Sequence, residues 1–132
     1  MSQAESLLID RVRRSPQSEG AKAFLGLLML SKGRDKLAVT FFEELLRRAH
    51  NNGVYHAYLG EALRRSGRAE EALASLERAK AYGGDLSWVE TRVGLVHAEL
   101  GDSTEAIASL ERAEEQSPEA LGPRLQRYQL GL

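Results

Sequence analysis

Apolar residues recur at helical spacing in segments separated by glycine. Leu59, Ala62 and Leu63 share one helical face, and Ala69, Ala72, Leu73, Leu76 and Ala79 share the next. Gly67 stands between them, where a helix must stop and the chain reverse. Gly33 and Gly101 occupy the same place in the neighbouring segments. Proline is absent from the predicted helix interiors. Pro16, Pro118 and Pro123 each fall next to an expected boundary. The pattern predicts an all-α chain of helix–turn–helix pairs.

The pattern also repeats. Gly26, Gly60 and Gly94 are spaced by 34 residues, as are Gly33, Gly67 and Gly101. Ala38, Ala72 and Ala106 keep the same spacing, and so do Phe42, Leu76 and Leu110. EALASLERA over 71–79 returns as EAIASLERA over 105–113, with one difference in nine residues. A glycine inside a helix costs about 1 kcal/mol relative to alanine. Three at equivalent positions point to a geometrical need, in which a partner helix approaches a backbone that has no Cβ.

These positions resemble the tetratricopeptide repeat. That motif carries an apolar–Gly pair in its first helix and a Gly at the turn. Ala, a bulky apolar residue, Ala and Pro follow down the second helix. Leu59-Gly60, Gly67, Ala72, Leu76 and Ala79 match it, as do Val93-Gly94, Gly101, Ala106, Leu110, Ala113 and Pro118. The first copy matches through Leu25-Gly26, Gly33, Ala38 and Phe42, with Leu45 in place of the second alanine and His50 in place of the proline. The motif's tryptophan position holds Lys22, His56 and Glu90, which predicts looser anchoring than in a consensus copy. The resemblance implies a right-handed superhelical solenoid of antiparallel helix pairs. It makes 1–132 one domain, with repeats over 19–52, 53–86 and 87–120. Residues 3–14, with Ala4 and Leu8 ahead of Pro16, read as an N-terminal half-repeat helix. Residues 119–130 read as a capping helix whose apolar face is Leu121, Leu125 and Tyr128.

Composition narrows the functional classes. The chain lacks cysteine, which removes disulfides, thiol nucleophiles and thiolate metal sites. The net charge of −1 gives no global pull toward nucleic acid or a membrane surface. Arg13-Arg14, Arg47-Arg48 and Arg64-Arg65 are scattered and offset by nearby acids, and no base-reading code recurs. No secretory signal or membrane-spanning run is visible, so a cytoplasmic location is expected. Charge is uneven, however: residues 1–52 carry +3 and residues 87–132 carry −4. This describes either drift on solvated faces or a dipolar rod able to orient a partner or stack end to end.

Signals for chemistry are thin. HExxH and a phosphate loop are absent, and Gly83-Gly84-Asp85 reads as a turn. His56 and His97 fall where the family packs side chains between helices, and Glu70-Glu71 and Glu114-Glu115 fall on outward faces. No catalytic residue, metal ligand or cofactor is expected.

The resemblance implies that first helices line a concave groove. Its residues would be Phe24 and Leu27, then Val54, Tyr58, Glu61, Arg64 and Arg65, then Trp88, Thr91, Arg92, Leu95 and Glu99. Trp88 reads either as local core beneath the loop after Gly84 or as a peptide anchor, since Trp, Tyr and Arg dominate binding hot spots. Tyr58 and Arg92 stand at equivalent positions and would offer a ring face and a guanidinium. Glu61 precedes Arg65 by four residues, which predicts an intrahelical ion pair and leaves Arg64 free for an acidic partner. Some relatives grip a C-terminal carboxylate with Lys, Asn and Arg. The matching positions Ala23, Leu27, Tyr58, Trp88 and Arg92 supply only one suitable group, so acidic chaperone tails are not the expected ligand.

The expected function is a non-enzymatic interaction module (an adaptor, assembly factor or client chaperone) that holds a partly apolar segment of another protein in its groove. The alternatives are a small secretion-type chaperone and a self-assembling unit that stacks through its terminal helices into homo-oligomers. Nucleic acid and membrane insertion are not expected.

Overall fold

The computed structural model describes residues 3–15 and 18–132, apart from the side chains of residues 4, 5 and 8. The expectations for Ala4, Leu8 and Pro16 therefore lie outside the described residues. Within them the chain is all helix: α1 (Gln3–Arg14), α2 (Glu19–Ser31), α3 (Asp35–Leu46), α4 (Gly53–Arg65), α5 (Ala69–Ala81), α6 (Leu86–Glu99), α7 (Ser103–Gln116) and α8 (Gly122–Leu130). Helices α2 and α3, α4 and α5, and α6 and α7 form antiparallel pairs that stack into a solenoid.

Local chemistry sets each boundary. Helices α2, α4 and α6 begin after Ser18, Asn52 and Asp85, whose side chains accept hydrogen bonds from the amides of Ala21, Tyr55 and Trp88. The turn inside each pair closes on a left-handed glycine. Gly67 has φ +79°, which lets Arg68 N–H donate to Leu63 C=O at 2.9 Å and satisfy a helix-end carbonyl.

The core is a row of large residues laid on glycines. Phe42, Leu76 and Leu110 are fully buried, and Ala38, Ala72 and Ala106 lie on the same helices with no exposure. The position opposite each large residue has no Cβ. A carbon added at Gly60 would lie 2.6 Å from Leu76 Cγ, and one at Gly94 would lie 2.8 Å from Leu110 Cγ.

The three non-tryptophan residues at the motif's tryptophan position are each tied by a polar contact. Lys22 reaches Glu44 at 2.7 Å. His56 is buried, with Nε2 2.8 Å from His50 C=O and its ring stacked on Tyr82. Glu90, 4% exposed, meets Lys80 at 3.0 Å and Arg112 at 3.5 Å, so it joins α5, α6 and α7.

The last helix departs from expectation. It begins at Gly122 rather than residue 119, with Pro123 in its first turn, where a missing N–H costs nothing. Its face is also rotated. Leu121, Leu125 and Tyr128 are 73%, 51% and 84% exposed. Pro123 is buried instead, and Arg127 turns back to Glu111 and Glu114 at 3.5 and 3.4 Å.

Replacing Gly60 by alanine tests the close approach. Overpacking costs about 1–3 kcal/mol, and alanine's helical advantage offsets about 1 kcal/mol. A lower urea midpoint at unchanged m-value is expected. Gly20→Ala adds a carbon with nothing within 4 Å and should not lower the midpoint.

Candidate functional site

Helices α2, α4, α6 and α8 stand side by side and share one face of the solenoid. Phe42, held from behind by α3, stacks on Tyr58 with ring centroids 5.6 Å apart. Tyr58 then meets Trp88 edge-on at 5.8 Å. Arg92 lies over the indole, its guanidinium carbon 4.5 Å from the ring centroid. The row therefore grows out of the core. Tyr58 and Trp88 are both half-buried, so each packs inward and still shows a surface.

Beside this row runs a chain of charges. Glu61, 7% exposed, bridges two helices. One carboxylate oxygen takes Arg64 Nε at 2.6 Å, and the other faces Arg92 Nε of α6. Arg64 also reaches Glu99 at 2.6 Å. Burial alone would lower the Arg64 pKa, but the hydrogen bonds and charges of Glu61 and Glu99 outweigh it and hold the guanidinium above its ordinary value. The expected pairing is thus corrected. Glu61 pairs with Arg64 and Arg92, while Arg65 reaches Asp35 of the preceding pair at 3.2 Å. Arg64 is not free. The signal lay in the repeat itself, which puts Glu61 and Arg92 on the same face of neighbouring helices.

The remaining expected groove residues divide. Leu27 is 38% exposed, and Phe24 is half-buried on α2. Thr91 is buried and donates its hydroxyl to Ser87 C=O at 2.8 Å. Leu95 is 9% exposed. Leu95 is packed and presents little to a partner, which corrects that expectation, whereas Thr91, though mostly buried, lines the cleft next to Trp88. Between α6 and α8 a cleft of about 370 Å³ opens, lined by Trp88, Arg92, Ser117, Pro123 and Gln126 among others.

A second tie joins α2 to α4. Tyr55 donates its hydroxyl to Glu19 at 2.7 Å. Burial, then the hydrogen bond and charge of Glu19, push its pKa up to about 12. Among the described residues no group of three His, Cys, Asp or Glu side chains is arranged to hold a metal ion. No described helix is long and apolar enough to cross a membrane.

Two outcomes test these ties. Glu61→Ala strands Arg92 and half of Arg64, so a loss of about 1.5–3 kcal/mol is expected in urea unfolding, with a change in Trp88 emission. Tyr55 has a folded pKa above its unfolded value of about 10. Its contribution is therefore complete below pH 10 and is lost as pH rises from 10 toward 12. Tyr55→Phe should remove that part of the alkaline decline, read from unfolding midpoints against pH.

Comparison with known proteins agrees with this geometry. Residues 91–119 match the family model described as tetratricopeptide repeat. No curated protein matches the chain. Solved structures do, all by fold rather than by close sequence. MamA of MSR-1 aligns with a TM-score of 0.72 and 23% identity over 86% of this chain and 65% of that one. The thermophilic tetratricopeptide-repeat protein TTC0263 of Thermus thermophilus gives 0.79 and 21% over 93% and 69%. The tetratricopeptide domain of Sgt2 from Aspergillus fumigatus gives 0.77 and 18% over 86% and 76%. The chain thus spans just under two thirds of the length of MamA.

Proposed function

We propose that this chain, whose fold matches tetratricopeptide-repeat solenoids, is a right-handed solenoid of that kind and a non-enzymatic module that holds a segment of another protein on its concave face. We read its repeats as 19–52, 53–86 and 87–120, flanked by α1 (Gln3–Arg14) and α8 (Gly122–Leu130). The bound segment is partly apolar. One observation carries this reading. Tyr58 and Trp88 are exposed in part and Trp88 lines an open cleft, while the arginines around them are already held by carboxylates.

A free arginine would select an acidic ligand. Arg92 is engaged by Glu61 and Trp88, and Arg64 by Glu61 and Glu99, so an incoming carboxylate would have to displace an existing pair. An apolar side chain displaces nothing. It covers ring surface at about 25 cal/mol per Å² of apolar area removed from water. Leu27 and Phe24 extend the same surface along α2. An adaptor, an assembly factor, a client chaperone and a small secretion-type chaperone all need such a surface. A cytoplasmic location belongs to this reading.

Binding of the partner segment should shift Trp88 fluorescence. Trp88→Ala with Arg92→Ala should weaken binding at least tenfold, as hot-spot loss of over about 1.4 kcal/mol requires, with helicity retained by circular dichroism. Affinity should change little with added salt. Binding that survives the double change places the partner elsewhere.

A further inference from the structure

We propose a second interaction surface whose occupant is another copy of this chain. The exposed stripe of α8 on one molecule seats in the cleft between α1 and α2 of the next, head to tail. The stripe is Leu121, Leu125 and Tyr128, 73%, 51% and 84% exposed and adjacent on one helical face. Two large apolar side chains on one short helix, with a third on the residue that precedes it, are a contiguous patch, unlike the scattered apolar residues normal on a surface.

Residue 128 excludes the simplest cover, a second helix continuing the solenoid. It lies 34 residues beyond Gly94, where the fold admits no side chain. At Gly94 an added carbon would already sit 2.8 Å from Leu110, and at Gly60 2.6 Å from Leu76. A tyrosine there forbids the same approach, so the stripe is not half of a regular helix pair. It needs a receptor that accepts protruding side chains.

The far end of the molecule offers one. A cleft of about 540 Å³ lies between α1 and α2, with Val12, Ala21 and Phe24 in its wall and Arg11 and Arg14 exposed at its edge. Charge favours the match. Residues 1–52 carry +3 and residues 87–132 carry −4. Glu115 and Glu119, just before the stripe, are both exposed and would face Arg11 and Arg14; Arg14 also meets Asp10 at 3.3 Å, a solvent-exposed pair that is weak enough to be shared. Because the two surfaces differ and lie at opposite ends, the contact is heterologous and leaves one of each free, so assembly continues past the dimer, into a filament or a ring according to its rotation.

Sedimentation velocity of the full chain at low ionic strength tests this. The sedimentation coefficient should rise with concentration past the dimer, and added salt should reduce it. Leu125→Glu with Tyr128→Ser should leave a monomer, and so should Arg11→Glu with Arg14→Glu, each with unchanged circular dichroism because the altered side chains are at the surface. An equimolar mixture of the two variants retains one intact stripe and one intact cleft, and should give a discrete dimer. Adding Glu115→Arg and Glu119→Arg to the Arg11/Arg14 variant should restore growth. A monomer at every concentration overturns the proposal. So does a wild-type dimer that survives the Arg11/Arg14 change, since that would be α8 packed on α8, and so does a mixture that stays monomeric. Phe24 borders both surfaces, but Trp88 and Arg92 are untouched throughout, so failure of self-association leaves the Trp88 test of the concave-face reading intact.

Discussion

The close contact between one helix backbone and the large side chain of its partner governs this molecule. Leu76 over Gly60 and Leu110 over Gly94 draw each helix pair together at a distance that any Cβ would prevent. Phe42 over Gly26 does the same with a larger ring. The helical cost of each glycine is about 1 kcal/mol, and burying the facing side chain yields about 1.5–3 kcal/mol, so the exchange favours the pair. The left-handed turns at Gly33, Gly67 and Gly101 then return the chain at the right offset.

That packing leaves the first helices beside one another and decides what their shared face can do. Phe42 belongs to the core, yet its ring supports Tyr58, which supports Trp88. The aromatic surface on the face shared by the first helices is thus an outgrowth of the interior. Glu61 plays the complementary part for charge. A buried carboxylate between two guanidiniums ties α4 to α6 and leaves neither cation unpaired. Such a bridge contributes modestly to net stability, but it fixes the orientation of Arg92 over Trp88.

Much of the architecture was legible because a repeat exposes its own rules. Gly60 and Gly94, Ala72 and Ala106, and Leu76 and Leu110 recur together because each is demanded by a contact inside one pair, between residues close in sequence. The site was less legible. Arg65 lies four residues from Glu61, the spacing of an intrahelical pair, but Asp35 on another pair holds it instead. Leu95 fits the groove pattern but is packed, and a shared period does not report how closely neighbouring helices cover it. The residues of α8 show that it has an apolar face, but not that this face points outward.

The sequence alone therefore determined the helices, their turns and the solenoid they build, since these depend on short-range spacing repeated along the chain. It also determined where cysteine and metal chemistry could not arise from thiolates. Only the tertiary structure decided which acid meets which base and which apolar residues stay outside. A carboxylate within reach of several arginines chooses by the position of neighbouring helices. A terminal helix exposes whichever face its last packed neighbour does not cover.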